Sequence, residues 1–326
     1  MRKAHRRLKL TIRALVLSLS MIALLVTVVN SQNQKLVPVQ FPEEAVALEA
    51  VWGKKGSGLG EFNSPHHLAV DADGNLYVAD GGNHRIQKLD PQGEVLAWWG
   101  GYGSAPGQFK QPWGLAVDSQ GNVYVTDAFN HRVQKFSSEG AFLLGWGKFG
   151  NADGQFYFPY DVAVDKDDNV YVADGYNHRI QKFDSQGNFL LSWGRRGSNT
   201  GQFSYPCAIA DDNQGGIYVS DGENHRVQKF DTKGAFSITW GAQGILQGQF
   251  DRPCGIAVTE EGHIYIVDSL NHRVQKFDDD GGFLAFWGQY GHKSGEFSHP
   301  AGIVIGQDGR IYVADSENHR IQVFVE

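Results

Sequence analysis

Asp80-Gly81-Gly82-Asn83-His84-Arg85-Ile86-Gln87-Lys88 decides the fold, because the chain repeats it at one fixed interval. Its Asn-His-Arg core returns at Asn130-His131-Arg132, Asn177-His178-Arg179, Asn224-His225-Arg226, Asn271-His272-Arg273 and Asn318-His319-Arg320, each copy 47 residues after the one before. An aspartate stands three residues ahead of every copy (Asp80, Asp127, Asp174, Asp221, Asp268, Asp315). A proline (Pro65 to Pro300) and a Trp-Gly pair (Trp52 to Trp287) keep the same step. A period of this length filled with short strand-like runs means a propeller or a solenoid.

Within the first unit, His67–Asp71, Leu76–Ala79, Arg85–Leu89 and Val95–Trp99 read as four strands with Gly, Asn, Asp and Pro at the joints. The last unit stops after its third strand, at Phe324, while a spare fourth strand ending Trp52-Gly53 precedes the first unit, one period ahead of Trp99. The N-terminal strand therefore completes the C-terminal blade and removes two open sheet edges. The expectation is an all-β, six-bladed propeller of four-stranded blades over residues 46–326.

These repeats resemble the NHL family, named for an Asn-His-Leu triplet that here reads Asn-His-Arg, and the likeness covers residues 46–326. The resemblance implies a propeller. It leaves function open, since the family's propellers serve as sensor ectodomains, as RNA- or protein-binding platforms and as lyases.

The ends of the chain differ in chemistry. No Asp or Glu precedes Glu43, whereas Arg2, Lys3, Arg6, Arg7, Lys9 and Arg13 crowd the start; without these six the formal charge falls from −7 to −13. So acidic a body is a poor generic partner for nucleic acid. Residues 14–29 are almost wholly apolar behind that basic flank, the order of an export signal or a short membrane anchor, and Val29 and Ser31 fit a cleavage site. Residues 1–31 are read as signal or anchor, 32–45 as linker. Everything after residue 31 is then expected outside the cytoplasm, periplasmic or extracellular, with membrane contact only through residues 14–29.

In a ring, repeated residues lie one to a blade, so Asp80, Asn83, His84 and Arg85 are read as structural: the acid and amide bond turn backbone, and the Arg ties strands to the buried Asp. Recognition belongs where the repeat is broken. The residue after each proline varies (His66, Trp113, Tyr160, Cys207, Cys254, Ala301), as does the next (His67, Gly114, Asp161 and so on). So do the tips between second and third strands (Phe129, Tyr176, Glu223, Leu270, Glu317). With Arg195 and Arg196 on a blade connection, these make an aromatic, mildly cationic mouth, while the opposite turns collect acids. The expected ligand-binding residues are His66, His67, Trp113, Phe129, Tyr160, Asp161, Tyr176, Arg195 and Arg196.

Peptidyl-α-hydroxyglycine lyases related to the family place zinc-binding histidines directly after blade prolines. Here only His66 matches, although Asp174-Gly175-Tyr176 is similar to the lyase segment that carries a catalytic tyrosine. His66, Cys207 and Cys254 form an alternative N/S zinc set, with His67 or Asp161 nearby. Bridging of the two cysteines needs Cα atoms within about 7 Å, a close approach for neighbouring inner strands, and independent thiols are the expectation. No phosphate loop, Gly-x-Ser-x-Gly elbow or His-Glu-x-x-His occurs, and no nucleophile sits beside a recognisable base. The favoured reading is an exported binding module for a peptide, protein or glycan, without an assigned cofactor. A zinc-dependent lyase or hydrolase and an RNA-binding propeller are the alternatives; no RING-like Cys/His spacing is present.

Overall fold

Each unit folds as a blade because its strands differ in what they can bury. In the computed structural model, which describes residues 46–326, β1 (Ala47–Trp52) precedes a first complete blade of β2 (Pro65–Val70), β3 (Leu76–Asp80), β4 (Arg85–Leu89) and β5 (Val95–Gly100). All five residues of β3 and of β4 are buried, as strands covered on both faces require. The outermost strand β5 is largely half-buried or exposed. Between β3 and β4 lies a three-residue 3-10 turn, Gly81–Asn83, closed by His84 in the left-handed region at φ 55°.

The same four strands recur as β6–β9 (112–146), β10–β13 (159–193), β14–β17 (206–240) and β18–β21 (253–287), and then β22 (Pro300–Ile305), β23 (Ile311–Asp315) and β24 (Arg320–Val325) begin the last blade. Its sheet runs β1-β24-β23-β22, with Ala47 opposite Val325 and Trp52 opposite Ile321. The ring is thus closed as the sequence predicts. A bidentate contact from the Arg310 guanidinium to Glu49, both distances 2.7 Å, adds to that seam. Among the described residues no helix is long and apolar enough to cross a membrane; residues 1–45, with the signal or anchor and the linker, lie outside the described residues.

The core is distributed. One buried cluster joins Tyr77, Ile86 and Trp99 of the first blade to Phe109, Leu115 and Phe136 of the second, and equivalent clusters fill the other blade boundaries. The repeated spacing of Trp and Gly follows from this packing. At Gly140, φ +83°, an added Cβ would stand 2.6 Å from the Trp99 ring, so the indole of one unit needs a side-chain-free turn in the next.

The inner strands β2, β6, β10, β14, β18 and β22 pack against one another around the axis. Each starts at its proline, two residues earlier than alternation indicates. Pairing then slips: Pro65 faces Asp80 but the next pair is Leu68 with Val78. The bulge frees His66 and His67 from the ladder, and four other blades slip alike, whereas in the third blade Asp161 stays paired with Ala173.

The repeated motif organises the connection that leads into each blade. Asp80, fully buried, accepts from the Asn63 N–H (2.7 Å), Asn83 Nδ2 (2.9 Å), Arg85 Nε (2.7 Å) and Gln87 Nε2 (3.1 Å). The Arg85 guanidinium also donates to the carbonyls of Ser57, Gly58 and Glu61. His84 joins blades: its Nδ1 accepts the Gln111 N–H at 3.1 Å, and each of the other five histidines does the same for the following unit.

That acceptor exists only on neutral imidazole. Burial, the largest cause, holds His84, His131, His178, His272 and His319 below the usual histidine range. Folded values below unfolded ones mean that the unfolded chain takes protons first, so stability is complete above about pH 6.5 and is lost as pH falls through the folded values. Raised buried carboxyls such as Asp211, at about 6, act with the opposite sign. The histidine share is therefore read as the difference in denaturant midpoint between the chain and its His84→Ala variant, expected to shrink from pH 7 to pH 5. A difference that does not change with pH contradicts the staple role.

Candidate functional site

The six post-proline residues meet around the upper end of the axis. On one side they are bulky: the His66 and Trp113 rings lie 4.9 Å apart, and Trp113 and Tyr160 4.4 Å. On the other side Cys207, Cys254 and Ala301 are small, and an off-centre cavity of about 310 Å³ opens above them. His66 and His67 line it together with Trp113 and Tyr160, while Arg252, Glu223, His299 and Glu317 surround the opening. Arg252 Nε lies 3.1 Å from Glu223 Oε1, an exposed pair worth less than about 1 kcal/mol.

Cys207 and Cys254 do not stand apart as thiols. Their Sγ atoms are bonded, with Cα atoms 5.2 Å apart, and the bridge forms part of the cavity wall. Neighbouring inner strands approach more closely than expected, so equivalent positions on consecutive blades meet the bridging requirement. The zinc set of His66, Cys207 and Cys254 is corrected accordingly: the sulfurs are spent on each other, and among the described residues no cluster of three or more His, Cys, Asp or Glu is arranged to hold a metal.

One layer below, His67 Nε2 comes within 3.4 Å of Asp161 Oδ2, which also accepts the Ile209 N–H at 3.0 Å. This contact passes close to Gly114, where a Cβ would stand 2.5 Å from the Asp161 Cα. Burial pushes the Asp161 carboxyl up, against the pull of His67. Burial brings the His66 imidazole down to about 4, so it is neutral at physiological pH. His66 Nε2, His67 Nδ1 and Asp161 Oδ1 make no hydrogen bond within the protein, which leaves polar capacity beneath an aromatic wall.

The expected ligand residues therefore divide. His66, His67, Trp113 and Tyr160 share the cavity, and Asp161 lies under it. Tyr176 stacks on Tyr160 at 6.2 Å, outside the lining, and Phe129 packs on Phe158 at 4.6 Å. Arg195 and Arg196 stand exposed on the blade connection, away from the lining.

Sequence reasoning passed over Tyr205, Arg252 and His299, which also line the cavity. They occupy the residue before each proline, a position held at φ 47–56° in all six units. The left-handed backbone turns these side chains to the mouth. Their variability along the repeat was a readable signal.

The geometry can be set beside known proteins. A stretch of 48 residues is 48% identical to "NHL repeat-containing protein 3" of Homo sapiens, and equally to that of Mus musculus, covering 14% of this chain and 14% of each relative. Among solved structures, a streptogramin B lyase superimposes with TM-score 0.60 at 15% identity over 86% of this chain and 97% of that one. A gluconolactonase of Xanthomonas campestris gives 0.61 at 14% (82% and 87%), and an auxiliary nutrient binding protein of Bacteroides thetaiotaomicron gives 0.60 at 15% (81% and 69%). Identities this low establish a shared propeller, and the neighbours' roles are mixed. The NHL repeat model matches residues 62–89, 109–136, 156–183, 203–230, 250–277 and 297–324, more than half of the chain in the register of its blades, and the protein belongs to the NHL repeat family.

Proposed function

We propose that this chain is an exported NHL propeller that captures a peptide, protein or glycan ligand at the mouth of its central channel. The observation that carries the reading is the cavity itself. It forms where the repeat is broken, between bulky Trp113 and Tyr160 and the small Cys207, Cys254 and Ala301, and polar groups cluster at its base. A concave aromatic site with few polar groups is the usual form of a ligand pocket. Export is supported by the order of charge and hydrophobicity in residues 1–29. A disulfide in the cavity wall suits an oxidising compartment.

Trp113→Ala and Tyr160→Ala are expected to reduce capture in a peptide, protein and glycan screen at least about tenfold, equivalent to 1.4 kcal/mol. The melting temperature should stay nearly constant, since both rings border open space. Undiminished capture by the doubly substituted chain sinks the assignment.

A further inference from the structure

Beyond the cavity, the mouth face carries aromatic residues that the fold does not require. Where Tyr157 stands, the other five units have Asn, Lys, Ser, Asp and Ser; where Tyr176 stands, three of the others have Gly or Glu. Yet these rings touch one another in an unbroken row from cavity to rim. Trp113 meets Tyr160 at 4.4 Å, Tyr160 meets Tyr176 at 6.2 Å, Tyr176 meets Tyr157 at 4.9 Å and Tyr157 meets Phe149 at 5.1 Å. Tyr176 and Tyr157 are 37% and 36% exposed and Phe149 63%, so the row faces solvent along its outer length.

Two further properties select the ligand. Backbone donors along the row are already used: the Tyr157 N–H by Asp174, the Phe158 N–H by His131 and the Tyr176 N–H by the Tyr157 carbonyl. A peptide bound as an added strand depends on such groups. The flanking connections carry exposed Lys148, Arg195 and Arg196, none of which forms an ion pair among the described residues. What remains on offer is a line of ring faces, phenolic hydroxyls and uncommitted cations. Pyranose rings present apolar C–H faces to such a line and hydroxyls at their edges, and a sugar carboxylate matches a guanidinium in a bidentate pair.

Resting on the reading of the mouth given above, we propose that the ligand is an acidic oligosaccharide. One terminal sugar occupies the cavity against Trp113, and the following sugars lie outward over Tyr176 and Tyr157, with uronate carboxylates toward Arg195 and Arg196.

The test is calorimetric titration of the full chain in detergent with galacturonic acid, tetragalacturonate, neutral cellotetraose, poly-glutamate and poly-uridylate. Tetragalacturonate is expected to bind at least about tenfold tighter than the monosaccharide. Tyr157→Ala with Tyr176→Ser erases that gain and leaves any monosaccharide binding in place. Arg195→Ala with Arg196→Ala removes the preference over cellotetraose. Equal binding of monosaccharide and tetrasaccharide, equal binding of the neutral chain, or tighter binding of poly-glutamate or poly-uridylate overturns the proposal. Binding of no saccharide overturns it too, while capture of another ligand that depends on Trp113 and Tyr160 leaves the mouth reading intact.

Discussion

A chain shortened to residues 53–326 is expected to lose the folded monomer. Without β1, the last blade keeps three strands and β24 becomes an open edge whose unpaired N–H and C=O groups invite another chain. Leu48 leaves the cluster around Val274 and Phe324, and Trp52 leaves its contact with Tyr312 at 5.6 Å. Both side chains are partly buried, so each contributes only part of the about 1.5–3 kcal/mol of a fully buried one, and the unpaired edge is the larger loss. Light scattering should show oligomers or aggregate, and an added peptide of residues 46–53 should restore the monomer. A stable, monomeric shortened chain contradicts the closure.

Asp80→Ala is the point substitution with the largest expected cost, about 3–5 kcal/mol. It removes the common acceptor of Asn63, Asn83, Arg85 and Gln87, leaving the 7%-exposed Arg85 without its 2.7 Å carboxylate partner. Urea unfolding measures the loss. Asp80→Asn, which keeps one acceptor oxygen, should cost less, and a change under about 1 kcal/mol in the alanine variant rules out a central role for this carboxylate.

How much of this was legible before the structure depends on whether a feature is repeated. The 47-residue step names the blade count and the closing strand because six equal units can bury their faces only against one another. Strand alternation, by contrast, starts β2 at His67, since a bulge is invisible to period-two reading; the true start is Pro65. The disulfide was out of reach for a different reason. Whether Cys207 and Cys254 bond depends on how tightly the ring curves, a distance that no local spacing encodes. Tyr205, Arg252 and His299 vary along the repeat, a legible sign, but that they turn to the mouth was not legible, for a proline predicts restriction of its predecessor and not a left-handed φ. The four residues of the expected site that share the cavity, His66, His67, Trp113 and Tyr160, all lie directly after a proline or one place further.

The direction of the closing strand sets how the propeller can be mounted. Because Ala47 lies beside Val325 while Trp52 lies beside Ile321, both terminal segments of the described chain emerge on the side of the acidic turns, under the wheel. A reporter fused after Glu326 would therefore hang beneath the wheel and leave the approach to Trp113 clear.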